Sequence, residues 1–236
     1  MRSLFVVMVL SSGNAWATSA NVTTVYNFDT NTGQMDGQNP YVSMTLGNDG
    51  NFYGTTSNGG VFAAGTLFRL TPGGTETNLN SMGSTAQDGH HPDNALVKAS
   101  DGNFYGTAIG GGGCGTVFKL TSLGVYQSLY NFQDNPDGCN PYSGLVEGPD
   151  GFLYGTTNGG GPYTHDSGIW GGTLYKISKS GAYSQVYALG NSPADGMWPS
   201  TGMALGADNA FYGTTFFSGP RNADQKSGGG TVFKLT

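Results

Sequence analysis

One phrase recurs four times along this chain. "DGNFYGTTSNGG" begins at Asp49, and three later copies keep its Tyr-Gly-Thr core. The four core tyrosines are Tyr53, Tyr105, Tyr154 and Tyr212. A spacing of about 50 residues is typical of propellers and other repeat arrays, whose units bury their apolar faces against one another. This repeat limits the possible folds more than any other feature of the sequence.

Each repeat consists of four segments in a constant order. The first alternates apolar and polar residues, the second begins with Asp-Gly-x-x-Pro, the third contains Tyr-Gly-Thr, and the fourth resembles "GTVFKL". The segments are short, rich in Val, Thr, Tyr, Phe and Leu, and bounded by Gly, Asp or Pro, which is typical of strands. An Asp-Gly or Asp-Asn pair joins the second segment to the third and favours a tight antiparallel hairpin. The first segments are 23–28, 75–80, 125–132 and 182–189, and the fourth segments are 65–70, 115–120, 172–177 and 230–235.

The predicted fold is all-β, a β-propeller with four blades of four antiparallel strands. It forms a single domain over 18–236, with repeats at about 23–74, 75–124, 125–181 and 182–236. If each first segment is the outer strand of the preceding blade, residues 23–28 have no preceding blade. We therefore expect this N-terminal strand to close the last blade, which removes a free sheet edge. The alternative is an open arc that pairs with a second chain or with further repeats.

The N-terminus has the composition of a secretory signal peptide over residues 1–17. Arg2 precedes a short apolar run, and Ala15-Trp16-Ala17 resembles a cleavage site. The run is too short to span a bilayer. We therefore expect a secreted protein, extracellular or periplasmic, without membrane insertion. Export permits a disulfide, and Cys114 and Cys139 are the two cysteines of the chain. We predict that they pair, the alternative being two separate buried thiols.

The composition indicates a folded, acidic protein. Charged residues make up 10% of the chain and aromatic residues 12%, whereas disordered chains are highly charged and poor in aromatic residues. The net charge is -6, and the nine basic residues form no cluster. An acidic surface repels phosphate groups, so nucleic acid is excluded as an expected partner.

The repeated phrases "DGNFYGTT", "GTVFKLT" and Asp-Gly-x-x-Pro resemble the GloVer-type tandem repeats of exported proteins from environmental bacteria. The resemblance covers residues 23–236. It implies a secreted or surface-sorted protein built from β-propeller-like repeats. It implies no particular reaction.

Residues that recur in every repeat are expected to build the scaffold. We predict that the core tyrosines wedge between blades and that the glycine after each of them admits a neighbouring ring. The turn aspartates are expected to cap their own loops, although a ring of carboxylates that binds Ca²⁺ is the alternative. No other cofactor is expected. Arg69, Lys119, Lys176 and Lys234 share one strand position, which predicts a solvated or Asp-paired side chain. The turn aspartates are Asp36, Asp88, Asp137 and Asp195.

Residues that differ between the repeats are the candidates for a binding or catalytic function. The loop after the third segment varies most, and in an up-and-down blade it shares one face with the Asp-Gly-x-x-Pro loop. Aromatic and polar side chains on such loops suit sugar binding, although simple loop packing would also account for them. We therefore predict an extracellular ligand, in particular a glycan, bound by a non-catalytic protein that is a monomer. The candidate ligand-binding residues are His90, His91, Tyr163, His165, Asp166, Trp170, Trp198 and Arg221, with Phe216 nearby.

The sequence is also compatible with two other functions. A polysaccharide-active hydrolase or lyase would use His90, His91 and His165 with a nearby Asp on the same face. Against it, the chain has no G-x-S-x-G and no H-E-x-x-H motif. The third alternative is a purely structural surface protein.

Overall fold

The computed structural model of the protein describes residues 21–28, 36–111, 113–163, 171–192, 195–217 and 229–236. All regular secondary-structure elements in these ranges are β-strands, so the predicted all-β class is confirmed. No helix in the described part of the chain is long and apolar enough to cross a membrane. The predicted signal peptide, residues 1–17, lies outside the described residues.

The strands follow the four repeats. The first repeat contributes Gly37–Gln38 (β1), Thr45–Leu46 (β2), Phe52–Thr56 (β3), Asn58–Gly59 (β4) and Thr66–Leu70 (β5). The second contributes Glu76–Ser81 (β6), Val97–Lys98 (β7), Phe104–Ala108 (β8) and Thr116–Leu120 (β9). The third contributes Tyr126–Asn131 (β10), Val146–Glu147 (β11), Leu153–Thr157 (β12) and Thr173–Ile177 (β13). The fourth contributes Tyr183–Ala188 (β14), Ala204–Leu205 (β15), Phe211–Thr215 (β16) and Thr231–Leu235 (β17).

These strands pair into a series of antiparallel sheets. Three sheets have four strands, in the orders β2-β3-β5-β6, β7-β8-β9-β10 and β11-β12-β13-β14. Among the described residues, the last sheet has the three strands β15, β16 and β17, and β1 pairs with β4 beside the first sheet. The strands β6, β10 and β14 come from the first segments of the second, third and fourth repeats, so each of these three segments completes the preceding sheet, as predicted. The hairpin turns have the predicted positive φ at Gly50, Gly102, Gly151 and Asn209.

The core lies between successive sheets. Tyr53 of the first sheet stacks on Phe104 of the second with ring centroids 4.1 Å apart, and Tyr154 of the third stacks on Phe211 of the last at 4.2 Å. Tyr105 packs in one buried cluster with Leu153 of the third sheet. Tyr53, Tyr105 and Tyr154 therefore wedge between neighbouring sheets, as the sequence predicts, whereas Tyr212 of the last sheet is 37% exposed and does not.

Within each sheet, an aromatic ring lies on the glycine that follows the core tyrosine. Gly106 pairs across the strands with Phe118, and a Cβ built on Gly106 would lie closer than 3.0 Å to that ring. This close approach explains why glycine occupies the position in every repeat. The four cross-strand pairs are Gly54 with Phe68, Gly106 with Phe118, Gly155 with Tyr175, and Gly213 with Phe233.

The prediction that residues 23–28 close the last sheet is wrong for this structure. Residues 21–28 form no strand. Instead the Tyr26 hydroxyl donates a hydrogen bond to Asp36 at 2.9 Å, and the Phe28 ring packs edge-on against Phe68 at 4.9 Å. These contacts hold the segment against the first sheet, and its backbone pairs with no strand of the last sheet. The described residues therefore form an open series of sheets.

Replacing Gly106 by Ala should destabilise the fold. The added methyl group meets the Phe118 ring in a closely packed core, so the free energy of unfolding should fall by about 1–3 kcal/mol. Gly73→Ala is the matched control, because the nearest atom to its added methyl group lies 3.8 Å away. Denaturant unfolding of both variants measures the difference. Equal stabilities would contradict the proposed ring-on-glycine contact.

Glu76 provides a pH-dependent test of the packing beside the N-terminal segment. Burial, and to a smaller extent the charge of Asp36, raise the pKa of Glu76 to about 7. The Glu76 Oε1 atom is buried and accepts no hydrogen bond from the described residues. A carboxyl with a raised folded pKa lowers stability as the pH rises from its unfolded pKa, about 4.3, toward the folded value.

Glu76→Gln should therefore gain stability over the natural chain as the pH rises from about 4 to about 7, and the gain should level off above that. Melting temperatures across this range measure it. Glu147→Gln is the control, because the pH dependence of its effect on stability should have the opposite sign. Burial raises the pKa of Glu147, but hydrogen bonds from Lys179 and Ser100 outweigh it and lower the pKa overall. A pH-independent effect of Glu76→Gln would contradict the assignment.

Candidate functional site

Two kinds of loop meet on one face of the structure, which we call the loop face. The Asp-Gly-x-x-Pro loops pair there with the residues that follow the third segments. The contacts are Gln38 with Asn58, His90 with Ile109, Cys139 with Gly159, and Met197 with Phe217. The prediction that both loops share one face is therefore confirmed for these residues, and the start of each variable loop lies beside the regular Asp-Gly-x-x-Pro turn.

The turn aspartates accept hydrogen bonds from their own loops. Asp137 accepts from the Tyr130 hydroxyl at 2.6 Å and from the Gln133 backbone N–H at 3.1 Å. Asp195 accepts in the same way from Tyr187 and Ser192. These bonds supply the turn role that the sequence predicts. The hydrogen bonds also occupy carboxylate oxygens that a ring of Ca²⁺ ligands would need.

One group of described residues has metal-ligand spacing: Cys114, Asp134 and Cys139. Its two cysteines are joined in a disulfide, so their sulfurs are not available as thiolate ligands.

At the opposite end of the sheets, the repeated basic residues pair with aspartates. Lys119 lies 3.9 Å from Asp101, Lys176 lies 3.5 Å from Asp150, and Lys234 lies 2.9 Å from Asp208. Each of these aspartates also accepts a hydrogen bond from the core tyrosine of its own repeat. The Asp-paired role predicted for the shared strand position is thus found in these three repeats.

The residue before each loop proline has a left-handed backbone. The φ values are 58° at Asn39, 52° at His91, 56° at Asn140 and 59° at Trp198. Asparagine adopts this conformation readily, whereas bulky residues do so at a cost of roughly 1–3 kcal/mol. Histidine is also tolerated in this conformation, so Trp198 is the residue that departs from what suits the turn. Such strain concentrates at functional sites.

Trp198 lies in a cleft between the third and fourth repeats, which we call the aromatic cleft. Its volume is about 520 Å³, and its lining consists of Tyr142, Asn158, Trp198, Ser200 and Phe216. Three of its side chains expose large apolar surface to solvent: Tyr142 is 43% exposed, Trp198 37% and Phe216 61%. Exposed aromatic rings beside a few hydrogen-bonding groups are typical of binding sites.

The backbone around Trp198 is held on both sides. The Trp198 N–H donates to the Gly171 carbonyl at 3.2 Å, and the Phe216 N–H donates to the Trp198 carbonyl at 2.9 Å. The Phe217 ring packs against the indole at 5.2 Å and against Phe216 at 4.8 Å. The aromatic cleft is therefore supported by adjacent backbone pairing rather than by side-chain contacts alone.

The predicted site residues within the described ranges lie in three places. Trp198 lines the aromatic cleft, with Phe216. His90 and His91 lie on the corresponding loop of the second repeat, with ring centroids 6.3 Å apart, and His91 Nδ1 hydrogen-bonds the Ser57 backbone oxygen at 2.7 Å. Tyr163 accepts a backbone hydrogen bond from Gly171, the residue that contacts Trp198. The remaining predictions, His165, Asp166, Trp170 and Arg221, lie outside the described residues.

Tyr142, Asn158 and Ser200 are site residues that the sequence analysis missed. Tyr142 follows Pro141 just as Ser200 follows Pro199, so repeat alignment places both beside the left-handed turn. The missing information was which neighbouring loops form a cleft together. That depends on how consecutive sheets pack, which the alignment does not contain.

A sequence model of the Gloeobacter/Verrucomicrobia repeat matches residues 13–223. The chain belongs to this repeat family. The family predicted from the repeated phrases is thereby confirmed. No curated protein matches this Gloeobacter/Verrucomicrobia repeat protein.

Two solved structures are similar to the repeat protein. One, titled "putative gluconolactonase in protein family", has 15% identity and a TM-score of 0.44, with 82% of this chain and 63% of that chain covered. The other is the extracellular domain of the "putative hybrid two component system BT3049" from B. thetaiotaomicron, with 12% identity and a TM-score of 0.48. It is matched over 87% of this chain and 28% of its own. The repeat protein thus spans less than two thirds of either structure.

The predicted disulfide is present in this repeat protein. Cys114 and Cys139 are bonded, and they join the variable loop of the second repeat to the Asp-Gly-x-x-Pro loop of the third. The Asn140 N–H also donates to the Cys114 carbonyl at 2.7 Å, so the two loops are in direct contact.

Replacing both cysteines by Ser should lower the free energy of unfolding by about 3 kcal/mol, because the bond closes a loop with a sequence separation of 25. Chemical denaturation measures the change, and reduction of the natural chain should produce the same shift. A change below about 1 kcal/mol would contradict the prediction and show that the disulfide adds little to the hydrogen bonds and core packing that also join the two repeats.

Proposed function

We propose that this chain is an exported, non-catalytic protein that binds a neutral glycan in its aromatic cleft. The observation that carries the proposal is Trp198, an exposed indole on a strained backbone, facing a cleft that Tyr142 and Phe216 also line.

The lining of the cleft suits a sugar. Aromatic rings offer flat apolar surfaces on which the C–H face of a sugar ring stacks. Asn158 and Ser200 add an amide and a hydroxyl that can hydrogen-bond sugar hydroxyl groups. A few polar groups within a mostly apolar cleft fix the orientation of a ligand.

The backbone strain at Trp198 supports a binding role over loop packing. Asparagine stands at the equivalent positions Asn39 and Asn140, and it suits the left-handed turn. The left-handed turn does not favour a tryptophan at this position. Contact between the exposed ring and a ligand would explain why tryptophan occupies it.

The chemistry of the cleft favours binding over catalysis. Among its described lining residues, none has a carboxyl or imidazole group. Glycoside hydrolysis needs a pair of carboxyl groups on either side of the scissile bond. The net charge of -6 disfavours acidic polysaccharides, so a neutral glycan is the proposed ligand class.

The architecture and location of the protein are part of the same proposal. We infer that the sheets are propeller blades, because each of the first three packs its core tyrosine against the next sheet. Export is supported by the sequence of residues 1–17 and by the disulfide, since such bonds persist in oxidising compartments.

Trp198→Asn should weaken glycan binding by about tenfold or more, equivalent to ~1.4 kcal/mol, because it removes the stacking surface. The asparagine relaxes the left-handed turn, so the variant should be at least as stable as the natural chain. A glycan array followed by calorimetry on the best neutral oligosaccharide measures the loss.

Tyr41→Ala is the matched control for this experiment. Tyr41 follows Pro40 as Tyr142 follows Pro141, and it is exposed, but it does not line the aromatic cleft. Its substitution should leave affinity unchanged. Failure of the natural chain to bind any glycan would overturn the proposal. So would turnover of a polysaccharide that is lost in His91→Asn.

A further inference from the structure

The last sheet leaves one strand edge open. On the side away from β16, β17 pairs with no strand among the described residues. The corresponding strands of the earlier sheets, β5, β9 and β13, pair on this side with β6, β10 and β14. We call this side of β17 the free edge. Val232 in β17 is 78% exposed, whereas its counterparts are buried: Leu67 at 0%, Val117 at 0% and Leu174 at 3%.

A groove runs along the free edge. Its volume is about 330 Å³, and it is lined by β17 together with Tyr187, Leu189 and Gly196 of the neighbouring outer strand and loop. In the earlier sheets this space contains an outer strand. An unpaired edge beside an apolar groove is a template for strand addition.

Residues 23–28 have the sequence of such an outer strand, and they make the same side-chain contacts with the sheet that follows them. Their Tyr26-Asn27-Phe28 repeats the Tyr130-Asn131-Phe132 of the third repeat. The Tyr26 hydroxyl donates to Asp36, as the Tyr130 hydroxyl donates to Asp137. The ring of Phe28 packs on Phe68, as that of Phe132 packs on Tyr175. One side of the segment is therefore already placed against the first sheet, while its strand-pairing side has no partner strand among the described residues.

The first and last sheets of one chain do not bury each other's surfaces. In the earlier sheets the core tyrosine is covered by the following sheet: Tyr53 and Tyr105 are 0% exposed, and Tyr154 is 9% exposed. Tyr212 of the last sheet is 37% exposed. Phe52 of the first sheet is only half-buried, whereas its counterparts in the later sheets, Phe104, Leu153 and Phe211, are buried. Both ends therefore present the surface that a neighbouring sheet normally covers.

We propose that two copies of the chain associate head to tail, and that residues 23–28 of one copy form the fourth strand on the free edge of the other. The first sheet of one copy then covers Tyr212 of its neighbour. This interface is heterologous, so it closes into a ring if the rotation between copies permits.

The register of the added strand follows from the three existing outer strands, which agree. Thr23 is expected opposite Lys234, and Tyr26 opposite Val232. The equivalent pairs are Thr77 with Arg69 and Asn80 with Leu67, Gln127 with Lys119 and Tyr130 with Val117, and Ser184 with Lys176 and Tyr187 with Leu174.

Cysteine cross-linking tests this register directly. A Thr23→Cys protein mixed with a Lys234→Cys protein should form a disulfide-linked heterodimer under mild oxidation, because directly opposed Cβ atoms lie about 4.5–5.5 Å apart. Thr23→Cys mixed with Leu123→Cys is the control, since Leu123 is exposed in the turn between β9 and β10, outside the proposed interface. Mass spectrometry without reductant should detect at least about tenfold more heterodimer in the first mixture than in the control.

A second measurement separates association between copies from closure within one chain. Light scattering of the natural chain should show concentration-dependent association, and Val232→Lys should weaken it by about tenfold or more, because a lysine on a sheet edge opposes pairing. Val125→Lys, at another exposed valine, should not. A natural chain that stays monomeric at all concentrations would overturn the proposal. So would a Thr23→Cys/Lys234→Cys double variant that cross-links only within single chains.

Discussion

The contact between a glycine and a facing aromatic ring is the constraint on which each sheet depends. In every repeat, the glycine of Tyr-Gly-Thr pairs across the strands with Phe or Tyr, and there is no space for a side chain between them. The ring covers a backbone that glycine leaves bare, and it extends the apolar surface on which the next sheet packs. The core tyrosine beside it then reaches the neighbouring sheet. One short phrase thus builds both the sheet and the contact between sheets.

Repetition separates scaffold from site in this protein. Residues that recur between copies are engaged with one another: the core tyrosine hydroxyls donate to the hairpin aspartates Asp101, Asp150 and Asp208, and lysines lie beside these carboxylates. Their polar groups are used within the fold. The aromatic cleft is formed instead by residues that differ between copies, above all Trp198 at a position where two other repeats have asparagine. The strained backbone at Trp198 is not explained by the scaffold, and the proposed ligand contact would explain it.

Much of the fold could be predicted from the sequence, because a repeated pattern reports strand order directly. The strands, the hairpin turns, the wedged tyrosines, the disulfide and the shared loop face were all predictable from particular residues. The pairing of residues 23–28 was not, since the same Tyr-x-Phe pattern fits an outer strand of either the same chain or another one. The site was predicted only in part. Trp198 stands out as a departure from its copies, whereas Tyr142 and Asn158 join it only through the packing of the third repeat against the fourth.

A crystal structure of the chain with a bound neutral oligosaccharide tests the central claim most directly. The account predicts a sugar ring stacked on the Trp198 indole, with Tyr142 or Phe216 on a second face and the repeated tyrosines uninvolved. A sugar bound instead at the repeated Asp-Tyr-Lys positions, or beside His91 with Trp198 uncovered, would contradict the conclusion that function lies where the copies differ at the aromatic cleft.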